Sequence, residues 1–170
     1  MKLRRLAEKD LEKVRAWRNH PDVNRWMFSD NKITAQEHKN WYLRQKNNPL
    51  KRLFVMDNGN EIVGFIQFDL SGNQLNPNME WGFYRSPFAQ KGSGKRLLNL
   101  ALKLAFTKLN ANKVTGKVIS YNIASQRIHT LLGFDLEGTL RCEQFKNDTY
   151  FDVYCYGLLR KNWLENKLND

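Results

Sequence analysis

A chain of 170 residues, 41 % hydrophobic and 12 % aromatic, is long enough to bury a substantial core within one domain. Its 28 Lys and Arg against 17 Asp and Glu give a net charge of +11, a field that draws in phosphate-bearing ligands and opposes polycations. No apolar run approaches the roughly 18 residues that span a bilayer, and the opening Met1 to Leu6 is too charged for a secretory signal. The basic residues form no stripe or reading motif for nucleic acid. We therefore expect a cytoplasmic protein with no membrane insertion and no specific nucleic-acid partner. Cys142 and Cys155 lack ligand or redox spacing, so no metal is expected.

In chain order, Leu3 to Leu6 reads as a short strand, and Leu11, Val14 and Trp17 fall at helical spacing behind it. Pro21 stops that helix by pushing His20 out of helical conformation. Asp22 to Asn31 is a short helix or loop carrying Trp26, Met27 and Phe28. Thr34-Ala35-Gln36-Glu37 is a capping box, which predicts a helix running to about Gln45. Arg52 to Met56 and Glu61 to Leu70 alternate as strands around Asp57-Asn58-Gly59-Asn60, a hairpin signal. Met79 to Arg85 is the next strand. A helix with Leu97, Leu98, Ala101, Leu102, Ala105 and Leu109 on one face follows it. Lys113 to Ser120 is a strand, and Asn122 caps a short helix ending at Gly133. Phe134 to Arg141 and Thr149 to Leu159 close the order as a strand pair, and the polar tail from Arg160 is expected to fray. Strands and helices mixed around one sheet mean an α/β (α+β) fold, with about seven mostly antiparallel strands and about four helices. The domain is expected over residues 1–160, with a C-terminal tail over 161–170.

Between the Met79 strand and the long helix lies Gln90-Lys91-Gly92-Ser93-Gly94-Lys95. Two glycines between lysines at a helix start describe a loop of backbone N–H groups that can wrap a phosphate. Walker A spacing fails, because Ala89 and Arg96 stand where Gly and Ser or Thr belong. Rossmann spacing fails at Leu97. An ordinary glycine turn is the bland alternative.

That element order, with Glu80-Trp81-Gly82-Phe83-Tyr84, the glycine loop, Asn122, Ser125 and Leu131-Leu132-Gly133-Phe134, resembles the GNAT superfamily of N-acetyltransferases over nearly the whole chain. The resemblance implies acetyl-CoA as donor and a primary amine as acceptor. It assigns the coenzyme to Phe83, Tyr84, Arg85, Gln90, Lys91, Gly92, Ser93, Gly94, Lys95, Asn122 and Ser125. Trp17 to Pro21, Trp26 to Ser29, Thr34 to His38 and Gly157-Leu158-Leu159 further resemble the branch that acts in pseudaminic acid biosynthesis. That branch acetylates the 4-amino group of a UDP-linked sugar, UDP-4-amino-4,6-dideoxy-N-acetyl-β-L-altrosamine, supplying a precursor for glycosylated flagellin or surface polysaccharide. Branches acting on ribosomal-protein N-termini or polyamines share the Arg-Asn element, and a basic RNA-binding module is the non-enzymatic alternative. A homodimer is compatible with this reading.

Acetyl transfer needs a deprotonated amine, a polarised thioester and a proton for the leaving thiolate; proximity supplies much of the rate. Glu80, beside Met79 and Trp81, is the candidate base through water, or a surface partner for a cation. Asn122, Ser125 and His129 fall three and four apart, forming one polar stripe. The resemblance places His129 where the superfamily often has a tyrosine that protonates the thiolate. An imidazole there acts as acid, positions substrate, or is structural. Arg18 is read as a fork on the nucleotide-sugar diphosphate or as a salt bridge at a helix end. Trp26, Met27 and Phe28 offer an apolar wall for the sugar methyl or the base, and His38 is a further substrate contact or a capping residue.

Overall fold

The computed structural model describes residues 1–168. In hydrogen-bonding order the strands run β1-β2-β3-β4-β5-β7-β6, seven in all, with β4 and β5 parallel. This is the mixed sheet expected from the sequence. Contacts divide the chain into two compact units, Met1–Leu70 with Trp81–Leu102, and Ser71–Glu80 with the residues from Lys103 onward. β4 (Asn78–Arg85) and α4 (Ser93–Thr107) contribute residues to both.

The first unit begins with β1 (Lys2–Arg5), antiparallel to β2 (Lys51–Asp57), which pairs in turn with β3 (Ile62–Ser71). The β2–β3 turn is built by side chains: Asp57 Oδ1 accepts from Gly59 N–H, and Asn58 Oδ1 accepts from Asn60 and Glu61 N–H. Gly59 takes φ +105, open to it because it has no Cβ. α1 (Leu11–Asn19) and α3 (Ala35–Gln45) cover this part of the sheet. Thr34 Oγ1 accepts from Glu37 N–H while the Glu37 carboxylate reaches back to Thr34 N–H, so the capping box forms as the sequence predicts. Leu6, Leu11, Val14 and Trp17 pack on Leu53, Val55, Ile62 and Phe65. Each such fully buried apolar side chain contributes about 1.5–3 kcal/mol. Arg4 ties the helix start to the sheet, forking onto buried Asp10 at 2.6 and 2.9 Å and reaching Asp57 at 2.8 Å.

In the second unit, β5 (Lys113–Ile119) pairs with the start of β4 and antiparallel to β7 (Thr149–Leu159), whose other edge carries β6 (Asp135–Lys146). α5 (Ile123–Leu131) begins at Asn122, whose Oδ1 accepts from Ser125 N–H at 3.1 Å. Glu137 on β6 lies across Gly157 of β7 to reach Lys113 of β5 at 2.6 Å, a crossing that a side chain at Gly157 would obstruct.

Two sequence expectations fail here. The tail expected to fray from Arg160 forms α6 (Arg160–Leu168), anchored by Trp163, which is 7 % exposed with its ring 5.2 Å from Phe106. Residues 169 and 170 of that tail lie outside the described residues. β6 continues past Arg141 to Lys146 through an irregularity between Leu140 and Gln144, where Cys142 adopts φ +51 and its N–H bonds Asp152. With α2 (Pro21–Asn24), six α-helices stand among the described residues.

Candidate active site

The glycine loop is held from below by the strand that feeds it. Ser86 N–H donates to the Val63 carbonyl at 2.9 Å, and Ser86 Oγ accepts from Phe88 N–H. Arg85 Nη1 donates to the carbonyls of Ala89 at 2.9 Å and Ser86 at 3.3 Å, so this arginine braces the turn. Gly92 stands at φ +86, a conformation costly to any residue with a Cβ. Ser93 N–H turns back to the Gln90 carbonyl, and the helical ladder begins with Arg96 N–H on the Gly92 carbonyl. Gly94 and Lys95 N–H precede that ladder and have no intrahelical acceptor. Ser93 Oγ is buried without a hydrogen-bond partner. A Cβ on Gly92 would meet nothing within 4 Å, and one on Gly94 only Arg85 Cδ at 3.7 Å. With Lys91 and Lys95 exposed beside them, these groups form a positively polarised helix start open to a phosphate.

Along β4, Glu80, Gly82 and Tyr84 share one face by period-two alternation, opposite Met79 and Trp81, which are buried. In the first unit, Tyr84 packs with its ring 5.1 Å from Phe65. Its hydroxyl is desolvated, which pushes its pKa well up, and Arg18 opposes that rise through its charge. Arg18 Nη2 donates to the Ser29 carbonyl at 2.8 Å, whereas Arg18 Nη1 is sealed from solvent with no partner. Burial pushes the Arg18 pKa down, and the charges of Tyr84 and Asp30 act against that. The salt bridge at a helix end is therefore not what holds Arg18; a backbone carbonyl does. Trp26 and Met27 are half-buried, Phe28 is 45 % exposed, and the Arg25 guanidinium lies 5.0 Å over Trp26. Gln67 on β3 borders this face, its Cγ 3.5 Å from where a Gly82 Cβ would stand, and its Nε2 approaches Asp69. The sequence reading passed over Gln67 and Asp69, although their alternation with Phe65 along β3 was a usable signal.

His38 does not join them. It is 5 % exposed and stacked on Trp41 at 5.1 Å, which fits a packing role. Burial, and then the Arg15 charge, push its pKa down.

In the second unit, Glu80 pairs with Lys117 at 3.1 Å and its side chain is 45 % exposed, not enclosed by the neighbouring aromatic residues. His129 is enclosed by its neighbours. It is 1 % exposed, stacked 5.0 Å from Tyr156 and edge-on to Phe134 at 5.1 Å. Its Nδ1 lies 2.7 Å from the Ser125 carbonyl, which only accepts, so Nδ1 is the donor of that bond. Burial pushes its pKa down. That environment fits the structural reading of His129 better than the acid one. The helical spacing was right, but the side it selects faces the sheet.

The family model for the acetyltransferase (GNAT) domain matches residues 1–135. The chain belongs to the GNAT acetyltransferase family. Among characterised relatives, it is 30 % identical over 151 residues to spermidine N(1)-acetyltransferase of Escherichia coli, covering 88 % of this chain and 81 % of the relative. It is 29 % identical over 124 residues to acetyltransferase PseH of Campylobacter jejuni, covering 73 % and 76 %. Vibrio cholerae spermidine N-acetyltransferase, solved with CoA and spermine, superposes with a TM-score of 0.88 at 27 % identity, over 96 % of this chain and 97 % of that one.

This GNAT protein is thus an acetyl-CoA-dependent N-acetyltransferase, and its loop residues fit that donor. The orphaned Ser93 hydroxyl and the unobstructed approach to Gly92 and Gly94 are what a diphosphate would use. In α5, capping commits Asn122 Oδ1 and Ser125 N–H to each other. No helix among the described residues is long and apolar enough to cross a membrane.

Proposed function

We propose that this enzyme moves the acetyl group of acetyl-CoA onto an amine carried by an anionic acceptor. The acceptor is the 4-amino group of a UDP-linked amino-dideoxy sugar, as in pseudaminic acid biosynthesis in the cytoplasm. Amine and thioester meet in one ternary complex: the C–N bond forms as the C–S bond breaks, and the thiolate leaves to take up a proton. Gln90 to Lys95 hold the diphosphate of the donor. Glu80, half exposed and open to water, accepts the amine proton through a water molecule. Trp26, Met27 and Phe28 form the apolar wall beside the acceptor.

The observation that carries the acceptor class is the sealed, unpartnered Arg18 Nη1. An unsatisfied guanidinium N–H in a dry place is costly and is repaid by an anionic oxygen. A polyamine, cationic along its length, would be repelled there, and by the net charge of +11. The likeness to spermidine acetyltransferases supports a second reading, polyamine acetylation. Release of free CoA thiol from acetyl-CoA, followed with the UDP-linked 4-amino sugar, spermidine and an N-terminal peptide as acceptors, separates the readings. Turnover with the sugar is expected; turnover with spermidine or peptide alone would sink the proposal.

A further inference from the structure

Between α1 and the turn that leads into the glycine loop lies a cavity of about 320 Å³ that the substrate contacts above leave unused. Ala16 and Trp17 of α1, Val63 of β3 and Pro87 of the turn wall it with apolar surface. Two pairs border it: Lys13 with Glu61 at 2.7 Å, and His20 with Phe88, whose rings meet edge to face at 5.6 Å. Lys13 and His20 stand about 10 Å apart along the helix, so the two pairs mark separate ends of the cavity. Phe88 is 82 % exposed, although its backbone is held, the N–H donating to Ser86 Oγ at 3.2 Å. One edge contact with His20 leaves most of that ring free as stacking surface.

The cavity is distinct from the donor site. Neighbouring residues of β3 point to opposite faces of the sheet: Phe65 packs in the cluster that α1 covers, whereas Gly64 faces Leu97 of α4. Trp17 belongs to the α1 cluster and lines the cavity, so the cavity lies on the α1 face. α4, whose start is proposed to hold the donor diphosphate, packs on the other face. The two places share one wall, the turn over residues 86–89. That turn is tied as a unit: Ala89 N–H donates to the Ser86 carbonyl at 3.1 Å, and the Ala89 carbonyl accepts from Arg85 at 2.9 Å. Gln90 and the glycine loop follow directly.

We propose that this cavity binds a flat aromatic molecule of one or two fused rings, separate from the donor, and that its occupancy is coupled to acetyl-CoA affinity through the turn. The ligand class follows from the lining. Trp17, His20 and Phe88 offer aromatic surface, and paired rings gain more than burial alone gives. A strongly charged molecule would lose its hydration against Ala16, Val63 and Pro87. A ring seated on Pro87 and Phe88 favours the turn position from which the glycine loop is presented, so each ligand tightens the other. Only the coupling rests on the glycine loop as the donor site.

The test uses fluoroindole as probe, followed by fluorine NMR titration of the intact protein with and without saturating CoA. Wild type, Ala16→Trp and Phe88→Ala are compared. The expected result is saturable binding to the wild type that CoA tightens about fivefold or more, with CoA affinity tightened by the same factor when the probe saturates. Ala16→Trp fills the cavity and abolishes probe binding. Phe88→Ala, at an exposed position, weakens it about fivefold or more. Thermal melts show whether each variant is folded; if Ala16→Trp is not, Phe88→Ala decides. Absence of saturable binding to the wild type overturns the proposal, and so does equal probe affinity in wild type and Phe88→Ala. Competitive displacement of the probe by CoA gives the cavity to the donor's own adenine ring and overturns a separate site. Probe binding with no change in CoA affinity overturns the coupling.

Discussion

Gly64 of β3 lies so close beneath Leu97 of α4 that a Cβ on the glycine would stand 2.9 Å from the leucine Cδ2. Leu97 is fully buried and has little room to yield. Since α4 begins at the glycine loop, this contact sets the height over the strands of the helix start proposed to hold the donor diphosphate. Gly64→Ala should cost about 1–3 kcal/mol through overpacking. It should raise KM for acetyl-CoA more than KM for the acceptor. Chemical denaturation together with steady-state kinetics checks both.

The two loop glycines serve different purposes, and substitution separates them. Gly92 is needed for its positive φ, so Gly92→Ala should lower stability by about 1–2 kcal/mol and weaken acetyl-CoA binding as well. Gly94 is helical, with only Arg85 Cδ near its missing Cβ. Gly94→Ala should leave Tm unchanged or slightly higher, because alanine favours a helix by about 1 kcal/mol. Its methyl group would nevertheless block close approach of the diphosphate, raising KM for acetyl-CoA about tenfold or more. A thermal melt beside a donor titration reads the contrast.

His129→Phe distinguishes a buried structural histidine from a general acid. A positioned acid contributes about 10²–10⁴ in rate. With Nδ1 committed to the Ser125 carbonyl and the ring packed on Tyr156, we expect kcat to fall less than about tenfold. Tm should fall through loss of that hydrogen bond. A kcat loss above a hundredfold with Tm intact would restore the acid role.

Buried histidines also set an acid limit on stability. Burial pushes both His38 and His129 below the value of about 6.5 that they take in the unfolded chain. The unfolded chain therefore binds more protons below that pH, and stability present above it is lost as pH falls toward the folded values. Asp10 adds a second, lower window. Burial raises its pKa, but the Arg4 hydrogen bonds and Ala7 N–H outweigh that and hold it below the usual carboxylate range. Its contribution is present above about pH 4 and is lost beneath it. Melting temperatures from pH 8 to 3 should show both declines, and His129→Phe should flatten the upper one.

Local signals were legible wherever a short stretch of chain carried its own physics. The capping box at Thr34 and Glu37, the Asn122 cap, the hairpin at Asn58-Gly59 and the glycine loop all formed where their residues stand. What depended on long-range contact was hidden. α6 has no apolar stripe and is anchored chiefly by Trp163 on Phe106, a partner far away in sequence. Helical spacing grouped Asn122, Ser125 and His129 but carried no sign of which side the sheet would occupy. For Tyr84, alternation along β4 said that Glu80 and Gly82 share its face; only the packing of Phe65 said which face that was.

The account turns on an acceptor that brings an anion to Arg18. The most direct measurement is kcat/KM for the UDP-linked 4-amino sugar against kcat/KM for spermidine, at saturating acetyl-CoA and one ionic strength. A guanidinium N–H that finds its oxyanion in one acceptor and a repelled cation in the other predicts a ratio of about a hundred or more in favour of the sugar. A ratio below one would contradict it.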